Sequence, residues 1–130
     1  TRDSREILNE QSRTIGEKGR MLDDLVNTVD SVFTEISNGN TDIVGIQLDR
    51  TWQIKKQFAK GVSNEEIDTM YARAVKAGAV GGKILGAGGG GFLLLYVPYE
   101  YQDDVRLSLS GYKEVPFNVD YQGSRIVFVD

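Results

Sequence analysis

Residues 86–91 read Gly-Ala-Gly-Gly-Gly-Gly, entered from Lys83-Ile84-Leu85 and left through Phe92-Leu93-Leu94-Leu95-Tyr96-Val97. Glycine reaches φ > 0, and in this run only Ala87 carries a Cβ, so main-chain N–H groups can converge on an anion. Each glycine costs about 1 kcal/mol of conformational entropy relative to alanine, so an ordered loop of this composition needs a partner or a demanding geometry. The chemistry indicated is anion handling, phosphate above all. The competing reading is a wide hairpin whose glycines serve packing. Gly86, Gly88 and Gly91 satisfy G-x-G-x-x-G, yet a dinucleotide turn must open a helix, and the apolar run ended by Pro98 suits a strand. A Walker A loop closes on Gly-Lys-Ser/Thr, whereas Lys83 comes before the glycines. Its charge faces either phosphates or solvent.

Composition narrows what else the chain can do. It has 130 residues, of which 40% are hydrophobic, enough for one domain with a real core. Its 15 basic and 19 acidic residues are mixed along the chain and give a net charge of −4, with no basic stripe for nucleic acid. No apolar stretch approaches the ~20 residues that span a bilayer, and Thr1-Arg2-Asp3-Ser4 carries no signal-peptide pattern, so the sequence reads as cytoplasmic. With no cysteine and no histidine, thiolate chemistry, disulfides and the usual transition-metal ligands are excluded.

Other conspicuous residues have structural explanations. Trp52 and Phe58, at helical spacing, are assigned to the core rather than to the floor of a sugar pocket. Lys55 and Lys56 read as a solvated helix face rather than a substrate-phosphate site. Glu65-Glu66 and Asp103-Asp104 sit in first turns, where negative charge favours the helix dipole. For Arg2 and Arg5 an approach to the active cleft stays open.

The elements that must position the loop divide near Gly78 into a mainly helical part, 1–79, and a mixed part, 80–130. Ser4 caps a first helix to about Thr14. Leu22, Leu25, Val26, Val29, Val32, Phe33 and Ile36 mark a second, read as a core helix ended by Asn38-Gly39. A third follows Thr41, with Val44, Leu48, Trp52 and Phe58 inward and Gly61 at its close. A fourth opens on a Ser63/Glu66 capping box and runs through Ile67, Tyr71 and Ala74 to Gly78. Strands over Val80–Leu85 and Phe92–Val97 flank the glycine loop, and Pro98 opens a short helix through Val105 and Leu109. Val115, Phe117 and Val119 alternate as a strand, Gly123 turns, and Ser124–Val129 returns. The order β-loop-β-α-β-β against packed helices is an α+β arrangement.

Lys83-Ile84-Leu85-Gly86-Ala87-Gly88-Gly89-Gly90-Gly91-Phe92 resembles the third signature motif of the GHMP kinases. The stretches Trp52–Lys56, Gly61–Asn64, Ala77–Ala79, Glu114–Phe117 and Gly123–Ile126 are similar to the sugar-kinase branch acting on heptose 7-phosphate. The resemblance spans essentially all 130 residues and implies a ferredoxin-like C-terminal domain, with helices on one face of a small antiparallel sheet and the family's usual first strand missing. The signature Pro-x-x-x-Gly-Leu-Gly-Ser-Ser of the family's N-terminal ATP-binding domain is not in this sequence. Catalytic carboxylate and magnesium ligand belong to that half, so no residue here inherits a catalytic or metal role. The resemblance implies ATP and Mg2+ as cofactors, held mainly by the N-terminal domain. It assigns Gly86, Ala87, Gly88, Gly89, Gly90 and Gly91, with Lys83 open, to the nucleotide side of the cleft. The implied activity is transfer of the γ-phosphate of ATP to a sugar hydroxyl, the anomeric hydroxyl of a heptose 7-phosphate in this branch. The chain alone is then inactive, and its uncovered loop and strand edge favour a homodimer. The alternatives are a non-catalytic ferredoxin-like binding or interaction module, or a galactokinase- or mevalonate kinase-like enzyme.

Overall fold

The computed structural model describes residues 5, 8, 19, 23, 26–58, 61–86 and 89–123. Four α-helices and one antiparallel strand pair make up the described architecture: α1 (Val29–Ser37), α2 (Asp42–Phe58), α3 (Glu65–Lys76), β1 (Gly81–Leu85), β2 (Phe92–Tyr96), a 3₁₀ turn (Tyr99–Tyr101) and α4 (Gln102–Ser108). The pairing runs from Gly81 opposite Tyr96 to Leu85 opposite Phe92, so the glycine run is the hairpin connection. This is the α+β arrangement expected.

The core lies where helices meet the strand pair. Trp52, Val62, Ile67, Tyr71 and Ile84 form one buried cluster with Leu93 against it. Ala74, Ala79 and Val105 form a second, flanked by Leu95, Val97 and Leu109. Ile84 and Leu93 are cross-strand partners, as are Gly82 and Leu95. The two-residue period therefore turns one face of the hairpin into both clusters. α3 contributes Ile67, Tyr71 and Ala74 at the three- and four-residue spacing of one helix face. Tyr71 donates to Asp49 Oδ1 at 2.5 Å, and Gln53 Nε2 donates to the same oxygen at 2.9 Å. Burial, then the bond to Asp49 and that residue's charge, push the Tyr71 phenol above its ordinary value of 10.0. Because the folded pKa is raised, the stabilisation is fully present below pH ~10 and is lost as pH rises beyond it. Tyr71→Phe is expected to flatten the decline of thermal stability above pH ~10, measured as Tm against pH.

Helix α2 rests on β1 through glycine contacts. A Cβ on Gly81 would stand 2.1 Å from the Gly45 carbonyl oxygen and 2.9 Å from Asp49 Cβ. Only bare backbone fits that crossing.

Three expectations are corrected. α1 is not a core helix: none of its residues is buried and Phe33 is 73% exposed. Its apolar stripe makes it a helix, but among the described residues it meets only α2 in any extent, so most of the stripe has nothing to cover it. The helix expected from Leu22 is interrupted rather than continuous: Asp23 and Val26 are helical, a turn follows at Asn27-Thr28, and α1 starts at Val29; an asparagine side chain competes with helical backbone bonds. Phe33→Ala is expected to shift stability by less than about 0.5 kcal/mol in a denaturant titration of this chain.

The second correction concerns the cap of α3. It is Asn64, whose Oδ1 accepts from the Ile67 N–H at 2.9 Å, while Ser63 Oγ donates to Asp68 at 2.9 Å. The capping pattern lies one residue further along than Ser63/Glu66 implies. Third, residues 113–120 are irregular rather than a strand, with Phe117 71% exposed. A strand needs a ladder partner, none stands beside this segment among the described residues, and Pro116 cannot donate to one. Its expected partner, 124–129, lies outside the described residues, as do the first helix except Arg5 and Leu8, and the Phe58 side chain.

Candidate phosphate-facing site

The hairpin geometry sorts the loop glycines by what each one requires. Gly91, at φ +113°, would place a Cβ 2.7 Å from the Leu85 carbonyl oxygen, so hairpin closure alone explains it. Gly90 differs. Its φ is not positive, and a Cβ added there would meet no atom within 4 Å among the described residues. Nothing among the described residues requires glycine at this position, and its backbone is exposed.

The connection between α2 and α3 holds the loop in place. Gly89 N–H donates to the Val62 carbonyl at 2.9 Å, and Val62 is itself fully buried. Asn64 Nδ2 reaches the Gly89 carbonyl at a long 3.5 Å, while the same side chain caps α3. At the other end Lys55 Nζ donates to the Gly86 carbonyl at 2.9 Å. Burial, and after it the charge of Lys83, lower the Lys55 pKa from its ordinary value of 10.5. Asn64→Ala is expected to cost about 1 kcal/mol through the lost cap, read as a lower Tm.

Polarity differs between the two sides of the loop. Towards α3 an open cavity of about 450 Å³ is lined by Asn64, Glu65, Glu66, Thr69 and Tyr112; its carboxylates repel an anion. Towards the end of α2 stand Lys55 and Lys83. Lys55, held on the Gly86 carbonyl, therefore brings a positive charge to the start of the loop, and the charge of Lys83 is felt there. Among the described residues no three His, Cys, Asp or Glu side chains gather as a metal site, so these residues supply no carboxylate cage for Mg2+ and no step is assigned to one.

Of the residues singled out in the sequence, Gly86, Gly89, Gly90, Gly91 and Lys83 come together here, while Ala87 and Gly88 lie outside the described residues. Lys55 was assigned to a solvated face with Lys56, but the two part company. Lys56 pairs with Asp68 at 3.4 Å, and Lys55 turns to the loop. Local spacing holds no signal for a bond between residues 31 apart. Asn64, placed beside the Ser63/Glu66 capping box, is the residue that joins cap and loop, which the sequence reading did not single out. Trp52 is in the core as expected, at 0% exposure.

Comparison with known proteins gives this geometry a context. The family described as GHMP kinases C terminal matches residues 32–112, more than half of the chain. The chain belongs to the GHMP kinase family, as its C-terminal domain; members are kinases that use ATP as phosphate donor. It is 32% identical over 80 residues to a mevalonate kinase of Methanothermobacter thermautotrophicus, covering 62% of this chain and 26% of that protein. It is 42% identical over 50 residues to D-glycero-alpha-D-manno-heptose 7-phosphate kinase of Campylobacter jejuni, covering 38% of this chain and 15% of that protein. The fold is similar to that of L. major mevalonate kinase in its complex with R-mevalonate, with a TM-score of 0.66 at 17% identity over 85% of this chain and 35% of that one. The chain thus spans about a quarter or less of the curated relatives it matches. No helix among the described residues is long and apolar enough to cross a membrane.

Proposed function

We propose that this chain supplies the phosphate-facing glycine loop of an ATP-dependent kinase whose acceptor is a hydroxyl of a sugar or sugar phosphate. A heptose 7-phosphate, phosphorylated at the anomeric hydroxyl, is the acceptor read from the sequence. The observation that carries the reading is Gly90, a glycine that neither backbone conformation nor packing against the described residues demands, in a loop whose first residue, Gly86, is held by Lys55. Phosphoryl transfer depends on positioning and on fixed dipoles more than on covalent help from the protein, and a tethered loop of main-chain amides offers both. Under this reading the catalytic carboxylate and the magnesium ligands come from an N-terminal ATP-binding domain, and this chain alone is inactive. Where the loop and the strand edge are not covered by such a domain, two copies associate through them; light scattering showing a strict monomer at high concentration would remove that part.

A second acceptor class has a specific observation in its favour: the longer matched stretch and the structural likeness both fall on mevalonate kinases. The deciding experiment measures acceptor-dependent ADP release by this chain joined to its N-terminal ATP-binding half. D-glycero-D-manno-heptose 7-phosphate, galactose and mevalonate are offered in parallel. Release with the heptose phosphate is expected; release with mevalonate alone would transfer the reading to the second class. No release with any acceptor, in a verified assembly that binds ATP, would favour a non-catalytic binding domain.

A further inference from the structure

We propose that Lys55 and Lys83 form a paired cation seat for one phosphoryl group at the entrance of the glycine loop. For its use in catalysis the proposal rests on the kinase reading above; its evidence is local. Helix α2 and strand β1 run in the same direction, since Asp49 lies against Gly81 and Lys55 reaches Gly86. Six helical residues advance about 9 Å and five strand residues about 16 Å, and the long lysine stem covers the difference. Lys83 shares the face of Gly81 by the two-residue period of the strand, the face that α2 covers there. Both side chains therefore set out towards the start of the loop. The charge of Lys83 is felt at Lys55.

An ammonium group has three donors, and Lys55 uses one on the Gly86 carbonyl. Neither lysine has a carboxylate in an ion pair among the described residues, whereas the adjacent Lys56 has Asp68. Two neighbouring cations with no ion-pair partner among the described residues disfavour each other's charge, and an anion between them relieves this. A phosphoryl group has enough oxygens to bridge two ammonium groups at once.

The test follows lysine side-chain 13Cε and 15Nζ resonances of this chain during titration with inorganic pyrophosphate at constant ionic strength. The Lys55 and Lys83 signals are expected to move together while Lys76 and Lys113 stay in place, and the depressed Lys55 titration should move to higher pH. Lys83→Gln should weaken pyrophosphate binding at least tenfold with the amide spectrum of the fold retained, and Lys55→Arg should keep most of it. Uniform movement of all lysines, no movement, or unchanged binding by Lys83→Gln would overturn the proposal. Parallel arms use ATP and glucose 6-phosphate. Selective movement with ATP assigns the seat to the donor, and with the sugar phosphate to the acceptor. Selective shifts in a protein without kinase activity leave the seat standing and refute only the kinase reading; an active kinase with unmoved lysines refutes the seat alone.

Discussion

Gly90→Ala is expected to lower kcat/KM for ATP by about tenfold or more in the kinase assembled with its N-terminal half, while leaving the unfolding midpoint of this chain unchanged or slightly raised. Two costs usually confounded at a glycine separate at this position. Residue 90 is not held at positive φ, and a methyl group there meets nothing within 4 Å among the described residues. The folded state therefore tolerates alanine, and the reduced freedom of the unfolded chain favours folding by up to ~1 kcal/mol. If a phosphate or the facing domain comes close to that backbone, the methyl group occupies its approach. Each tenfold loss in kcat/KM corresponds to about 1.4 kcal/mol of lost transition-state stabilisation. Gly91→Ala is the control, since its φ of +113° and the 2.7 Å approach to the Leu85 oxygen predict loss of stability as well. Equal losses of stability and turnover at residue 90 would return that glycine to packing.

Gly81→Ala should destabilise this chain by about 3 kcal/mol in urea denaturation, at the upper end of the range for overpacking a close-packed contact. The added carbon would fall 2.1 Å from a helix backbone oxygen, which no rotamer change can relieve. Helix α2 would have to lift from β1. That movement also draws Lys55 away from Gly86, so loop order should fall together with stability. A cost below 1 kcal/mol would show that the α2–β1 crossing is looser than described.

The features that stood out in the sequence were those written in short-range pattern. The apolar period of α3 placed Ile67, Tyr71 and Ala74 in the core correctly, and the two apolar runs around the glycines are the paired strands. The period of α1 was equally clear, yet a periodic stripe states only that a helix has an apolar side, not that another element lies against it. Residues 115–119 alternate properly, but alternation becomes a strand only beside a hydrogen-bonding neighbour. At the site, the glycine composition was legible because glycine is a local backbone property. Lys55 was not, because its place at Gly86 follows from the direction of α2 along β1, which is set by the Gly45–Gly81 contact. The one-residue shift of the α3 cap from Ser63 to Asn64 has a related cause: Ser63 is engaged by Asp68, while Asn64 serves both the helix and the loop.

The central claim is that the main chain of the glycine loop faces a phosphate. The most direct measurement is the amide 1H–15N spectrum of the assembled two-domain protein, 15N-labelled in this chain, during titration with a non-hydrolysable ATP analogue and Mg2+. The amide of Gly90 is expected to shift in proportion to nucleotide occupancy, while those of Gly39 and Gly111 stay in place. Saturation with nucleotide that leaves the Gly90 amide where it was would contradict the claim.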